Sequence, residues 1–343
     1  MYTSDFDYDL PESLIAQHPL EQRDTSRLLV VDRDSDELHV RTFPDILEYL
    51  NPGDTLIVND TKVIPARLRA RKTSGARIEL LLVTPVANNE NEWEAMIRPA
   101  KRVRPGMTLE LESDSARIEV LERPSDERWR VRFTTDDVMA LLDRAGEMPL
   151  PPYIRRDAPS VDDRLRYQTV YAEKPGAIAA PTAGLHFTPE LLDKARAKGV
   201  DTGAVTLHIG PGTFVPIKVD RVVDHVMHSE RYELPAETVD LVEKTHARGG
   251  RVVAVGTTTC RVLEHAATEG AFEAHEGEAD IFIVPGYKFK VIDSLVTNFH
   301  LPKSTLLMLV STFGGVDLIR VAYRKAVEEE FRFYSYGDAM LII

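Results

Sequence analysis

Four histidines stand in short stretches where an imidazole has company. His186 lies in APTAGLHFT, beside Phe187 and close after Thr182 and Gly184. His208 lies in LHIGPGTF with Gly210, Gly212 and Thr213, His228 lies in HVMHSE, and His300 closes LVTNFH after Asn298 and Phe299. Imidazole, with an unperturbed pKa of about 6.5, is the side chain best suited to take or give a proton at neutral pH. Glycines let backbone N–H groups approach a ligand closely. AVGTTTC adds Thr257 and Thr258, and LIVNDT adds Asp60. Each has a plain reading as well. The threonines are good helix caps, the aspartate suits a turn, and a histidine often serves only as a hydrogen-bonded structural group.

Metal chemistry has weaker support. His225, His228 and Glu230 form HxxHxE, but zinc needs a third or fourth ligand at recognisable spacing. No HExxH motif and no cysteine pair is present, so no metal is expected. The lone Cys260 reads as a buried small residue rather than a nucleophile. It forms no internal disulfide and suits a reducing cytoplasm.

These residues collect at the ends of predicted strands. DTLIVND, VTLHIG, RVVAVG, ADIFIVPG and SLVTNF read as strands, with helices near 236–248, 258–268, 304–313 and 315–331. TPELLDKARAKG carries its own helix boundaries, from Thr188 and Pro189 to Gly199. Such alternation predicts an α/β fold with a mostly parallel sheet in Rossmann-like layers. In open sheets of this kind ligands bind beyond the carboxyl ends of the strands, so the polar strand ends predict one shared pocket. Between Leu68 and Phe133 the texture changes to short, closely spaced strands such as ARIELLLV, EWEAMIR and RWRVRF. That spacing predicts a small antiparallel β-barrel. The expected organisation is a discontinuous α/β domain, 1–62 and 153–343, with a barrel inserted at 63–152.

The net charge of −13 argues against a nonspecific nucleic-acid binder. The basic residues nevertheless cluster. Lys62, Arg67, Arg69, Arg71, Lys72 and Arg77 run without an acid between them, and Arg98, Lys101, Arg102 and Arg104 form a second run. Arg155 and Arg156 follow. Such runs suit either solvated strand faces or contacts with a polyanion. The longest apolar run, Thr305 to Phe313, is too short to span a bilayer. The acidic amino terminus shows no signal-peptide pattern.

Taken together and in order, IAQHPLEQRDTSRLLVVDR, PLPPYI, RYQTVYA, AAPTAGLHFT, LHIGPGTFVPI, AVGTTTCRVLE, TNFHLPKSTLLMLVSTFGG and FRFYSYGDAMLI carry a likeness over essentially the whole chain. The sequence closely resembles the S-adenosylmethionine:tRNA ribosyltransferase-isomerase family of queuosine biosynthesis. One departure lies in ARLRARKTSGARIE. Where the family usually has an aromatic-Gly pair and a Gly-Gly, this chain has Arg69-Ala70 and Gly75-Ala76.

The resemblance implies an α/β domain with an inserted β-barrel. It implies transfer and isomerisation of the ribosyl part of S-adenosylmethionine onto tRNA carrying preQ1, a 7-deazaguanine, at the wobble position. Adenine and methionine leave and epoxyqueuosine-tRNA forms. No cofactor is implied beyond S-adenosylmethionine, which is consumed as the ribosyl donor. Such chemistry requires a base for the acidified C5′ hydrogen and a dry pocket. The candidates for proton transfer are His186, His208, His228 and His300, with His186 first because it precedes a helix N-terminus, where the dipole favours neutral imidazole. Asp60, Thr182, Gly184, Phe187, Gly210, Gly212, Thr213, Thr257, Thr258 and Asn298 are expected to contact the substrate. Phe187, Phe214, Tyr287 and Phe299 are rings that could stack on adenine. The expected tRNA contacts are Lys62, Arg67, Arg69, Arg71, Lys72, Arg98, Lys101, Arg102, Arg155 and Arg156. A cytoplasmic monomer is expected. The competing readings are an S-adenosylmethionine-dependent tRNA methyltransferase and a noncatalytic tRNA-binding protein. Double charge reversal at Arg69 and Arg71 should weaken tRNA binding in a filter or anisotropy titration and leave S-adenosylmethionine binding alone.

Overall fold

The structure is a computed structural model that describes residues 1–87, 89–156, 161–214, 217–268 and 270–343; the side chains of Val161, Thr213 and Phe214 lie outside that description. Its larger part is built on a nine-stranded sheet. The order is His275–Ala279, Glu230–Leu234, Asp201–Leu207, Thr55–Asn59, Val252–Val255, Ser294–Asn298, Ala339–Ile342, Arg27–Val31 and Leu38–Thr42. The four strands from Asp201–Leu207 to Ser294–Asn298 are mutually parallel, and both margins carry antiparallel pairs.

The apolar runs explain the central position of three strands. Every residue of Thr55–Asn59, Val252–Val255 and Ser294–Asn298 is buried, as expected when helices cover both faces. Side chains alternate between two cores. Ile57, Ala254 and Leu295 face the helices Ala236–Ala247, Thr257–Ala266, Thr305–Gly314 and Val316–Glu328. Leu56, Val58, Val253 and Val296 face the short helix Phe43–Tyr49 and the helix Pro189–Ala197. The latter is capped by Thr188, whose hydroxyl accepts the Leu191 N–H at 3.1 Å. The sheet differs from the expected one at its edge. Residues 280–284 are irregular, and His275–Ala279 takes the edge position instead. Ile281, Phe282 and Val284 are held against the core as irregular chain, and a turn at Pro285-Gly286 follows.

Six antiparallel strands between Arg67 and Phe133 close into a barrel. Here burial alternates, as in Thr108–Leu111 and Arg117–Glu122, so one side of each strand fills the barrel and the other meets solvent. The interior holds Leu68, Ala70, Leu109, Ile118, Val120, Trp93, Trp129 and Phe133. The helix Val138–Ala145 packs on the same core and is capped by Asp137, which accepts the Ala140 N–H at 2.8 Å. The chain passes between barrel and sheet through a narrow neck. Outgoing Thr61–Val63 pairs in parallel with returning Lys174–Ala177. Arg67 and Glu147 exchange backbone hydrogen bonds at 3.1 and 2.8 Å. Gly146 is required there, since a Cβ would lie 1.9 Å from the Pro65 carbonyl oxygen. No single described helix is long and apolar enough to cross a membrane.

At the opposite end of the sheet Asp54 is buried with Arg251 at 2.7 Å, and it also accepts the backbone N–H groups of Asn51 and Arg251, each at 2.9 Å. Burial pushes its carboxyl up, but the Arg251 guanidinium and these N–H groups more than offset that and hold it below the usual range. A depressed folded-state pKa means the stabilisation is present above the unfolded value and is lost as pH falls through the folded one. Asp54→Asn is therefore expected to cost about 3 kcal/mol in urea unfolding at neutral pH, with the gap to wild type narrowing below about pH 4.

Candidate active site

The carboxyl ends of the central strands open onto a narrow cleft. One wall is Gly256, Thr257 and Thr258, where the strand Val252–Val255 turns into its helix. Gly256 takes a left-handed φ of +96° at this turn, which glycine adopts without steric cost. The helix therefore starts at the cleft wall, and its first-turn N–H groups lack intrahelical acceptors. Ser304 caps a second helix at the same cleft, accepting the Leu307 N–H at 3.2 Å. Two positive helix ends suit an anionic group. Thr297, Asn298, Phe299 and His300 form the floor, and Ala179 to Ala183, with Thr182 among them, form an apolar lip. Tyr153 and Tyr334 stack at 4.5 Å on the remaining side, and the Tyr153 hydroxyl meets Ser335 Oγ at 2.6 Å. Tyr334 holds a φ of +69°, the kind of backbone strain that collects at functional sites.

Asn59 lies where the sheet gives way to the neck, and it is fully buried. Its Oδ1 accepts the N–H groups of Thr61 and Leu207 at 3.1 and 3.0 Å. Its Nδ2 donates to the Leu207 carbonyl and to Thr258 Oγ1 at 3.1 and 3.2 Å. One amide thus joins two strands, a helix start and the neck.

The histidines do not meet. His300 is in the cleft, with Nε2 against Thr297 Oγ1 at 2.8 Å. Burial pushes its pKa down to about 3. His186 stands behind the cleft, buried, with Phe43 stacked on it at 4.9 Å. Both ring nitrogens are engaged, Nδ1 with Ser26 Oγ at 2.7 Å and Nε2 with the Asn298 amide at 3.3 Å. Burial, and then the Arg332 guanidinium, push its pKa to about 3. His186 does precede a helix start, two residues before the Thr188 cap, but it ends a short 3₁₀ turn and lines a small side pocket with Ser26 and Arg23 rather than the cleft.

His208 and His228 face a different and roomier cavity, a groove between barrel and sheet. The polar strand ends thus serve two cavities rather than one, and Ile209 is common to both linings. His208 Nδ1 meets Thr61 Oγ1 at 2.8 Å, and burial followed by the charges of Arg231 and Lys174 lowers its pKa. Gly176 makes room for its ring, since a Cβ there would come within 2.8 Å. Gly212 does the same for His228 at 2.6 Å. Gly210 donates its N–H to Glu230 at 2.8 Å, and Glu230 is locked to the buried Arg261. Glu230 is thereby spent, and no cluster of three metal-ligating side chains occurs among the described residues.

Other expected contacts lie elsewhere. Phe187 is core, edge-on to Phe43 at 5.0 Å. Gly184 packs under Tyr171, where a Cβ would lie 2.1 Å from the phenol oxygen. Asp60 is buried and accepts the Thr206 hydroxyl at 2.6 Å. Tyr287 donates to Glu264 at 2.8 Å. The Thr213 and Phe214 side chains fall outside the described residues. Tyr153, Tyr334, Ser335 and Ser304 were not singled out by sequence, although all four sit in the motifs PLPPYI, FRFYSYGD and NFHLPKST. Two tyrosines beside proline or glycine signals were the available clue.

The basic run is partly neutralised. Arg69 pairs with Glu147 and Arg71 with Glu112, both at 2.8 Å. Arg156 is bound to the buried Asp163 at 2.9 Å, so it is a structural cation rather than a free phosphate ligand. Arg67 donates to the Leu150 carbonyl and Lys72 to the Arg102 carbonyl, and Arg155 reaches Glu12 only at 3.9 Å. Lys62, Arg98, Lys101 and Arg102 are exposed.

The model of the queuosine biosynthesis protein family matches residues 3–342. An S-adenosylmethionine:tRNA ribosyltransferase-isomerase of Trichlorobacter lovleyi is 54% identical over 100% of both chains. One of Azoarcus sp. is 54% identical over 98% of this chain and 96% of its own. The crystal structure of an S-adenosylmethionine tRNA ribosyltransferase from Thermotoga maritima is similar at 40% identity and a TM-score of 0.58, covering 99% of this chain and 100% of that one.

Folded-state pKa values of about 3, below the ordinary 6.5, keep His186 and His300 uncharged. The unfolded chain takes up protons that the fold refuses, so stability falls as pH drops below 6.5 through these two groups. Ring ¹⁵N spectra between about pH 8 and pH 5 should show His186 as a neutral Nδ1–H tautomer throughout; a His186 titration midpoint in that window would contradict this.

Proposed function

Since the chain belongs to the queuosine biosynthesis family of S-adenosylmethionine:tRNA ribosyltransferase-isomerases, we propose that it transfers and isomerises the ribosyl moiety of S-adenosylmethionine onto preQ1 at the tRNA wobble position. Epoxyqueuosine-tRNA forms, and adenine and methionine are released. The supporting observation is the cleft at the carboxyl ends of the parallel strands, with a helix start on one wall and stacked tyrosines on the other. The methionyl carboxylate is assigned to the N–H groups at Thr257 and Thr258. The tyrosine faces suit adenine and the sulfonium. Apolar walls from Ala179 to Ala183 and Ile209 protect reactive intermediates from water.

The tRNA nucleotide is assigned to the interdomain groove, which meets the cleft at Ile209. Glu90, Glu94, Asp136 and Asp137 give that groove an acidic wall, which suits the cationic aminomethyl group of preQ1. His208 has its Nδ1 committed to Thr61 and a lowered pKa, so its Nε2 is the assigned acceptor for the amine proton as the amine becomes a nucleophile. The phosphates are assigned to Lys62, Arg98, Lys101 and Arg102. The enzyme is proposed to work as a cytoplasmic monomer, with S-adenosylmethionine consumed and no further cofactor.

Incubation of preQ1-tRNA with S-adenosylmethionine, read by mass spectrometry, should show a ribosyl-derived gain with free adenine and methionine. A methyl gain would mean a methyltransferase, and an unchanged tRNA a noncatalytic binder. His208→Gln should lower the single-turnover rate by about 100-fold or more with tRNA affinity retained. Lys101→Glu with Arg102→Glu should weaken tRNA binding and flatten its salt dependence by about two charges.

A further inference from the structure

Asn298 ends a central strand at the floor of the cleft, with 2% of its surface exposed. Its Nδ2 donates to the Tyr334 carbonyl at 2.9 Å and to His186 Nε2 at 3.3 Å. A carbonyl oxygen only accepts. Turning the amide over would set Oδ1 against that oxygen, so the orientation is fixed by its partners. The consequence is that Oδ1 is buried and has no hydrogen-bond partner. A buried unpaired acceptor is costly, and Tyr334, whose carbonyl fixes it, also keeps a left-handed φ of +69°.

The fixation extends behind the cleft. An Asn298 N–H pointing at His186 Nε2 requires a lone pair there, which puts the ring proton on Nδ1, where it is donated to Ser26 Oγ at 2.7 Å. Phe43 stacked at 4.9 Å holds the ring plane. Ser26, His186 and Asn298 therefore form one chain that ends in an idle acceptor.

We infer that Asn298 Oδ1 is the acceptor for an N–H or O–H donor on the nucleoside part of the ligand, and that His186 is a positioning residue acting through Asn298. This rests on the reading that the cleft takes a nucleoside sulfonium. The donor is a ribose hydroxyl or the adenine amine, and analogues separate the two.

The experiment measures kcat and KM for S-adenosylmethionine and for analogues lacking the 2′-hydroxyl, the 3′-hydroxyl or the exocyclic amine, with preQ1-tRNA as acceptor. Wild type should disfavour one analogue by about tenfold or more in kcat/KM, and Asn298→Ala should erase that one difference. His186→Gln offers an amide oxygen to Asn298 and should keep both the discrimination and most of kcat. His186→Leu should lose the discrimination through KM while the kcat pH profile keeps its shape. Should Asn298→Ala fail to fold, the two His186 variants carry the test. Unchanged discrimination in Asn298→Ala, or in His186→Leu, would overturn the proposal. So would a His186→Gln enzyme with kcat abolished and discrimination intact, because His186 would then carry the proton. Wild type releasing no adenine would instead sink the proposed reaction, a result visible before any variant is made.

Discussion

The Asn59 amide is the interaction on which the rest of the site depends. All its donor and acceptor positions are used, and each use ties down a different element. Parallel strands normally end in loops free to wander. Here the ends of Thr55–Asn59 and Asp201–Leu207 are tied together, and the same side chain pins Thr258 at the start of the cleft-wall helix. A buried amide with every polar atom satisfied is a rigidifying device, because any displacement leaves groups unpaired in a place without water. The cleft and the groove meet beside this point, so their relative placement is inherited from it.

Much of the fold was legible because its signals are local. The apolar runs of LIVN and VVAV told of strands, and the close spacing of short strands told of the barrel. Thr188 with Pro189 and Gly199 gave both ends of one helix. The site was legible only in outline. Strand ends were recognised as polar, yet their division between two cavities was not, because that depends on how the neck bends the chain away from the sheet after Asn59. His186 illustrates the limit. Its ring is fixed by Ser26, Phe43 and Asn298, all remote in sequence. The same local pattern, glycine then histidine then a helix cap, would have suited a ring facing the ligand. The apolar stretch at 280–284 misled for a related reason, since an apolar run shows burial but does not show which ladder position is vacant.

Charge followed a similar course. A run of cations in sequence is not a positive surface until its neighbours across the strands are known. Glu112 and Glu147 sit opposite Arg71 and Arg69, so much of the barrel's apparent basicity is local pairing on an acidic protein. Such exposed pairs add little stability. Their effect is to leave a short positive rim near Lys101 and Arg102 rather than a broad positive face. Arg261 and Arg156 have a different part to play, since both are held on buried carboxylates and help keep loops in place.

The neck has an evolutionary consequence. The barrel has its own core, and its covalent links to the sheet run through the paired segments Thr61–Val63 and Lys174–Ala177. Substitutions inside the barrel's core therefore fall in a cluster separate from the core of the sheet. Arg69-Ala70 lies on the first barrel strand, where Arg69 pairs with Glu147 beside the neck, and Gly75-Ala76 lies in the turn after that strand. The barrel core and the sheet core can therefore change residues independently of one another.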